Sequence, residues 1–95
     1  MKEIIEISKH ELNDLTTNQD SFIIVDIREK DEFNDFNIGG LNIPSHEITD
    51  KIDYLNTFEN IVVLCSNGLR SHIMSRVIQK KIPSAQIYHL TEGII

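Results

Sequence analysis

The chain has 95 residues, a single cysteine, and 15 Asp and Glu against 9 Lys and Arg, for a net charge of -6. This length has room for one domain, spanning residues 1–95, that can fold alone with little margin. The acidic balance argues against a nucleic acid or an anionic membrane as partner, because both need a basic patch, and no apolar run approaches a membrane span.

The first residues, Met1–Glu6, lack the long apolar stretch and small-residue cleavage site of a secretory signal. A lone cysteine forms no internal disulfide, so the cytoplasm is the expected location. Ile4, Ile5 and Ile7 predict a first strand. Ser8 followed three residues later by Glu11 is a capping-box signature, opening a short helix with Leu12 and Leu15 inward. Phe22-Ile23-Ile24-Val25 is a continuous apolar run, as in a strand covered on both faces. An acidic helix follows Asp26-Ile27-Arg28, with Phe33 and Phe36 as its expected anchors. Gly39-Gly40 breaks the chain before Leu41–Pro44 resumes an extended course. Ile48, Ile52 and Leu55 fall on one helical stripe. Ile61–Leu64 is a second apolar strand. Leu69, Ile73, Met74, Val77 and Ile78 predict the inward stripe of a further helix, which Pro83 cannot continue. Ile87–Leu90 is the last strand. Strands alternating with helices predict an α/β domain, with a small, mainly parallel sheet and helices on both faces. Ligands of such sheets bind beyond the carboxyl ends of the strands.

Cys65 stands at such an end. It follows four apolar residues and precedes the polar, glycine-containing loop Ser66-Asn67-Gly68-Leu69-Arg70. A thiolate is the reactive form of cysteine and needs positive potential around it. A loop that curls its N–H groups inward would form an anion nest, and Gly68 permits the positive φ such a curl commonly requires. The dipole of the following helix and the permanent charge of Arg70 add to the potential. A cysteine after an apolar strand is ordinarily a small buried hydrophobe. The polar loop does not read as a continued core.

The run Cys65-Ser66-Asn67-Gly68-Leu69-Arg70-Ser71 resembles the active-site loop of rhodanese domains, the sulfurtransferases. Ile24-Val25-Asp26-Ile27-Arg28 with Glu32-Phe33 is similar to the family's first signature, and Ile38–Pro44 is similar to its second. The motifs agree in order and spacing, and the match runs from Ile4 to Gly93. The resemblance implies a ping-pong reaction through a persulfide on Cys65, with Ser66, Asn67, Gly68, Leu69 and Arg70 binding the substrate. The donor would be a small anion such as thiosulfate or a persulfide, and the acceptor cyanide or a thiol. Neither a metal nor an organic cofactor is implied. The chain departs from the pattern in reading Asn37-Ile38-Gly39-Gly40-Leu41 where members often have His-Ile-Pro-Gly-Ala, which should alter the rigidity of a turn. It also has one glycine, Gly93, where members often have a pair, and no terminal helix bearing a tryptophan. Without that helix part of a core face would be exposed, which bears on stability and on homodimerisation.

Ser71, Asp26 and Arg28 are supporting candidates. Asp26 and Arg28 are expected to pair and brace a loop rather than touch substrate. Arg28 and Glu32, four apart, can pair on the short helix. Ser66 and Ser71 could bond the sulfur, though capping the helix is the more ordinary role. His72 is expected to be exposed and without special role. His10, His46 and His89 lack metal-ligand spacing. Three other functions compete. A cysteine-dependent phosphatase or arsenate reductase would need a loop one residue longer, since Arg70 is five positions after Cys65 and the sixth is Ser71. A non-catalytic rhodanese-like binding module would usually have lost the cysteine. A redox sensor would have no second cysteine to resolve it.

Overall fold

A computed structural model describes residues 2–18 and 21–95, the side chain of Asn18 excepted. Among these residues the chain alternates strands and helices: β1 (Ile5–Ile7), α1 (Lys9–Asn18), β2 (Phe22–Asp26), α2 (Lys30–Asp35), β3 (Leu41–Asn42), a 3-10 segment (Ser45–Lys51), α3 (Ile52–Leu55), β4 (Asn60–Leu64), α4 (Leu69–Lys81) and β5 (Gln86–Leu90). The strands form one sheet in the order β1-β5-β4-β2-β3, and every pairing is parallel.

The two apolar runs occupy its interior. β4 lies between β2 and β5, with Ile61, Val62, Val63 and Leu64 all fully buried. On one face Val25, Ile61 and Val63 pack with Leu55 of α3 and Ile78 of α4. On the other, Val62, Leu64 and Leu90 pack with Leu12 of α1. Helices therefore cover both faces, as the sequence predicts. The Ser8–Glu11 capping box is formed in both directions, Ser8 N–H donating to Glu11 Oε1 at 2.9 Å and Glu11 N–H to Ser8 Oγ at 3.1 Å.

Three sequence expectations change. Phe36 is 49% exposed and anchors nothing in the core, and α2 has no buried residue. That helix is held instead by its own capping box at Glu29 and Glu32 and by Arg28, which donates to the carbonyls of Glu32 and Phe36 at 3.4 and 2.6 Å. The stretch carrying Ile48, Ile52 and Leu55 is a 3-10 segment before it becomes α-helical, although Ile48 and Leu55 are both buried as their spacing suggests.

The largest change is in α4, where Leu69 and Ile73 are 71% and 63% exposed. Ile78 of the predicted stripe is buried and Met74 packs partly buried against the core, but Ser71 and Ser75 complete the buried face in place of Leu69 and Ile73. Small side chains let the helix approach closely, and their hydroxyls are satisfied: Ser75 Oγ donates to the Ser71 carbonyl at 2.6 Å. The helix is thus rotated so that serine, rather than leucine, faces the cysteine loop. No helix among the described residues is long and apolar enough to cross a membrane.

Candidate active site

Strand β4 delivers Cys65 to its carboxyl end, where the residue is fully buried. Gly68 then takes φ +89° and caps α4, turning the chain sharply back over the sulfur. A Cβ at Gly68 would lie 2.0 Å from the Thr91 carbonyl oxygen. The segment after β5 braces the loop from below: Ile94 N–H donates to the Cys65 carbonyl at 3.1 Å, and Ile95 N–H to that of Ser66 at 2.9 Å. Gly93 is needed for this approach, because a Cβ there would meet the Ser66 carbonyl oxygen at 2.2 Å.

The sulfur accepts from Gly68 N–H at 3.2 Å, Ser71 N–H at 3.4 Å and Ser71 Oγ at 3.2 Å. Burial pushes the thiol up, but the Ser71 hydroxyl and the amides of Ser71, Asn67 and Gly68 outweigh it and hold Cys65 below its ordinary value of 9.0. Leu69 N–H donates to Asn67 Oδ1 at 3.1 Å, so this amide of the loop is used by an Asx turn. Ser71 does not cap the helix. Gly68 occupies that position, and the Ser71 hydroxyl serves the sulfur.

Behind Ser71 lies a polar chain that sequence spacing does not reveal. Ser71 Oγ is 2.7 Å from His89 Nε2, and His89 Nδ1 is 2.7 Å from Glu6 Oε1, which also accepts from Thr91 Oγ1 at 2.9 Å. Glu6 and His89 are direct partners across the parallel β1–β5 pairing. His89 is 2% exposed. Burial raises Glu6, but hydrogen bonds from His89 and Thr91 prevail and lower it from its ordinary value of 4.5. His72 is exposed as expected, yet its ring meets that of His89 edge-on with centroids 5.9 Å apart. The sequence signal for this group was a histidine within an apolar strand, Ile87-Tyr88-His89-Leu90.

Arg70 lies on the other side of the loop. Its Nη1 and Nη2 fork onto Glu32 Oε1 and Oε2 at 2.8 and 2.9 Å, and Nη2 stands 3.5 Å from Ser66 Oγ. The Arg70 hydrogen bonds hold the Glu32 carboxyl down at about 2, with burial opposing. Glu32 is therefore a site neighbour that the sequence reading assigned elsewhere, to Arg28. Arg28 instead binds Asp26, with Nε at 3.0 Å from Oδ1 and Nη2 at 2.8 Å from Oδ2. Asn42 Nδ2 donates to the carbonyls of Asp26 and Arg28 at 3.0 and 2.9 Å. The expected loop-bracing pair is thus present.

A parallel α/β sheet whose central strand ends in a thiol held by amide and hydroxyl donors defines a cysteine-loop domain built to hold a thiolate. The family model of the rhodanese-like domain matches residues 8–94, and the chain belongs to that family. It is 30% identical over 79 residues to the "Putative sulfur carrier protein YrkF" of Bacillus subtilis, covering 82% of this chain but only 43% of that relative. The fold is similar to a rhodanese-like domain protein from Staphylococcus aureus (TM-score 0.80, 21% identity, 95% of this chain and 87% of the other). It is also similar to the Saccharomyces cerevisiae single-domain sulfurtransferase RDL2 (TM-score 0.75, 15% identity, 99% and 88%).

Proposed function

We propose that the protein is a sulfurtransferase that carries a sulfane sulfur as a persulfide on Cys65. The observation that carries this reading is the sulfur itself, buried at the end of β4 and surrounded by the donors of Gly68 and Ser71. In the first half-reaction the Cys65 thiolate attacks the outer sulfur of thiosulfate. The bond between the two donor sulfurs breaks, and sulfite leaves with its electron pair. In the second half, an acceptor thiolate or cyanide attacks the outer sulfur of the persulfide and returns Cys65 as thiolate. Donors that stabilise a thiolate suit the persulfide anion and the charged transition state equally.

Arg70 is the group proposed to receive the donor anion, with Ser66, Asn67, Gly68 and Leu69 lining its approach. Its charge would offset the repulsion of a net -6 chain. Because Cys65 is fully covered, the donor must displace part of the loop's rim. The Arg70–Glu32 pair is an exposed part of that rim, with side chains 44% and 37% exposed. Such chemistry requires a free thiol and suits a reducing cytoplasm.

The test is intact mass. After incubation with thiosulfate the protein should gain one sulfur atom, lose it to cyanide or a thiol, and do neither as Cys65→Ser. No adduct from thiosulfate, polysulfide or glutathione persulfide, with the thiol still free, would overturn the proposal. Hydrolysis of p-nitrophenyl phosphate that disappears in Cys65→Ser would replace it with the phosphatase reading.

A further inference from the structure

The acceptor and donor roles along Cys65, Ser71, His89 and Glu6 are fixed by elementary chemistry. A carboxylate only accepts, so His89 Nδ1, at 2.7 Å from Glu6 Oε1, must carry a hydrogen. Nε2 is then free either to accept or, in the imidazolium, to donate. It faces Ser71 Oγ at 2.7 Å, and that hydroxyl is 3.2 Å from the Cys65 sulfur. The thiol is thereby connected, through one hydroxyl, to a buried imidazole whose far nitrogen is held by a carboxylate with 44% of its side chain exposed.

We propose that His89, oriented by Glu6 and acting through Ser71, takes the Cys65 proton when the thiolate forms. In the uncharged arrangement Cys65 S–H donates to Ser71 Oγ, Ser71 O–H donates to His89 Nε2, and Nδ1–H donates to Glu6. A concerted shift moves the thiol proton to Ser71 and the serine proton to Nε2. The result is a thiolate that accepts from Ser71 O–H, and an imidazolium that donates to Ser71 Oγ through Nε2 and to Glu6 through Nδ1. The two arrangements contain the same number of protons, and no hydrogen bond of the chain is lost between them. His89 and Glu6 are positioning residues, since neither touches the sulfur.

The charged and titratable groups facing His89 are Glu6 from β1, His72 from α4 at 5.9 Å between ring centroids, and Cys65 through Ser71. The neighbour of His89 on β4 is Val63, which carries no charge. Arg76 is one contact removed, its Nη1 3.2 Å from His72 Nδ1. Among the described residues, Glu6 is thus the anion placed to hold an imidazolium beside a thiolate. The relay deepens the sulfur-transfer reading given above, since a free thiolate is what that reaction consumes.

The experiment follows the ultraviolet absorbance of the thiolate against pH, as the difference between the protein and its Cys65→Ser variant. The single cysteine makes that difference specific. His89→Gln should move the Cys65 midpoint upward by about one pH unit, cutting the thiolate fraction at neutral pH about tenfold, while the high-pH plateau is unchanged. Glu6→Gln, at an exposed position, should shift it the same way by about threefold in thiolate fraction. A purely structural role for His89 would lower the plateau or the melting temperature without moving the midpoint. Should His89→Gln fail to fold, Glu6→Gln decides. An unmoved midpoint in the folded variants overturns the relay. A protein with the shifts described, which nevertheless takes no sulfur from any donor, would retain the relay and lose the sulfurtransferase reading.

Discussion

Two arginine–carboxylate pairs, with the same closest contact of 2.8 Å, do opposite work in this molecule. Arg28 and Asp26 meet at 2.8 Å with side chains 2% and 0% exposed, whereas Arg70 and Glu32 meet at 2.8 Å with 44% and 37% exposed. Arg28 spends its remaining donors on carbonyls of Glu32 and Phe36, closing the end of α2. Among the described residues Arg70 leans towards one further partner, Ser66 Oγ at 3.5 Å. Removing charge from water is costly, so a buried pair persists only when each group is fully partnered, and it cannot exchange. An exposed pair is screened and worth little, so another anion can displace it. Burial, not bond length, separates the structural arginine from the one available to a substrate. The pairs are also linked in series, because α2, which Arg28 secures, carries Glu32.

The largest effect should come from breaking the buried pair. Arg28→Met leaves Asp26 as a buried carboxylate without its partner, and should cost about 3–5 kcal/mol in denaturant unfolding. A loss below about 1 kcal/mol would place this pair with the exposed one and void the distinction. Next comes Arg70→Ala, which should change stability by less than about 1 kcal/mol. It should slow sulfur loading from thiosulfate by about 10- to 100-fold, the value of a hydrogen bond to a charged group. Rates of persulfide formation followed by mass would check it, and an undiminished rate would remove Arg70 from the donor site.

The difference between these arginines was only half legible in the sequence. Asp26-Ile27-Arg28 at the end of an apolar strand has a spacing that suits pairing across the turn, and the pair is there. The four-residue spacing of Arg28 and Glu32 suggested another pair, which the fold does not make. Glu32 turns instead towards Arg70, a residue thirty-eight positions on that only tertiary structure brings near. Strands, capping box and cysteine loop were legible because each is encoded within a few neighbouring residues. The face of α4 was not. Hydrophobic periodicity favoured Leu69 and Ile73 as buried, and the need of Cys65 and His89 for the Ser71 hydroxyl won over it. For the same reason the Ser71–His89–Glu6 chain, drawn from α4, β5 and β1, left no local pattern beyond a histidine in an apolar strand.

Replacing Glu32 tests the exposed pair from its other side. A donor anion must compete with the Glu32 carboxylate for the same fork, so Glu32→Gln should lower the thiosulfate KM about threefold, with kcat little changed and the gain reduced by salt. A raised KM would mean that Glu32 aims the guanidinium rather than competing for it.

The smallest expected effect is on stability against pH. Glu32 sits at about 2 in the folded protein against an ordinary 4.5, so its folded pKa is depressed. The stability it supplies is fully present above about pH 4.5 and is lost as pH falls towards 2. Both side chains are more than a third exposed, so screening limits that stability to about 1 kcal/mol or less, whatever the size of the shift. Urea unfolding of the protein and of Glu32→Gln should therefore differ by a small constant above pH 4.5, converge between 4.5 and 2, and converge at every pH in high salt. A difference that survives both acid and salt cannot come from a screened ion pair. It would have to come from the other bond Glu32 makes, the capping box in which its carboxylate accepts from the Glu29 N–H at 3.1 Å.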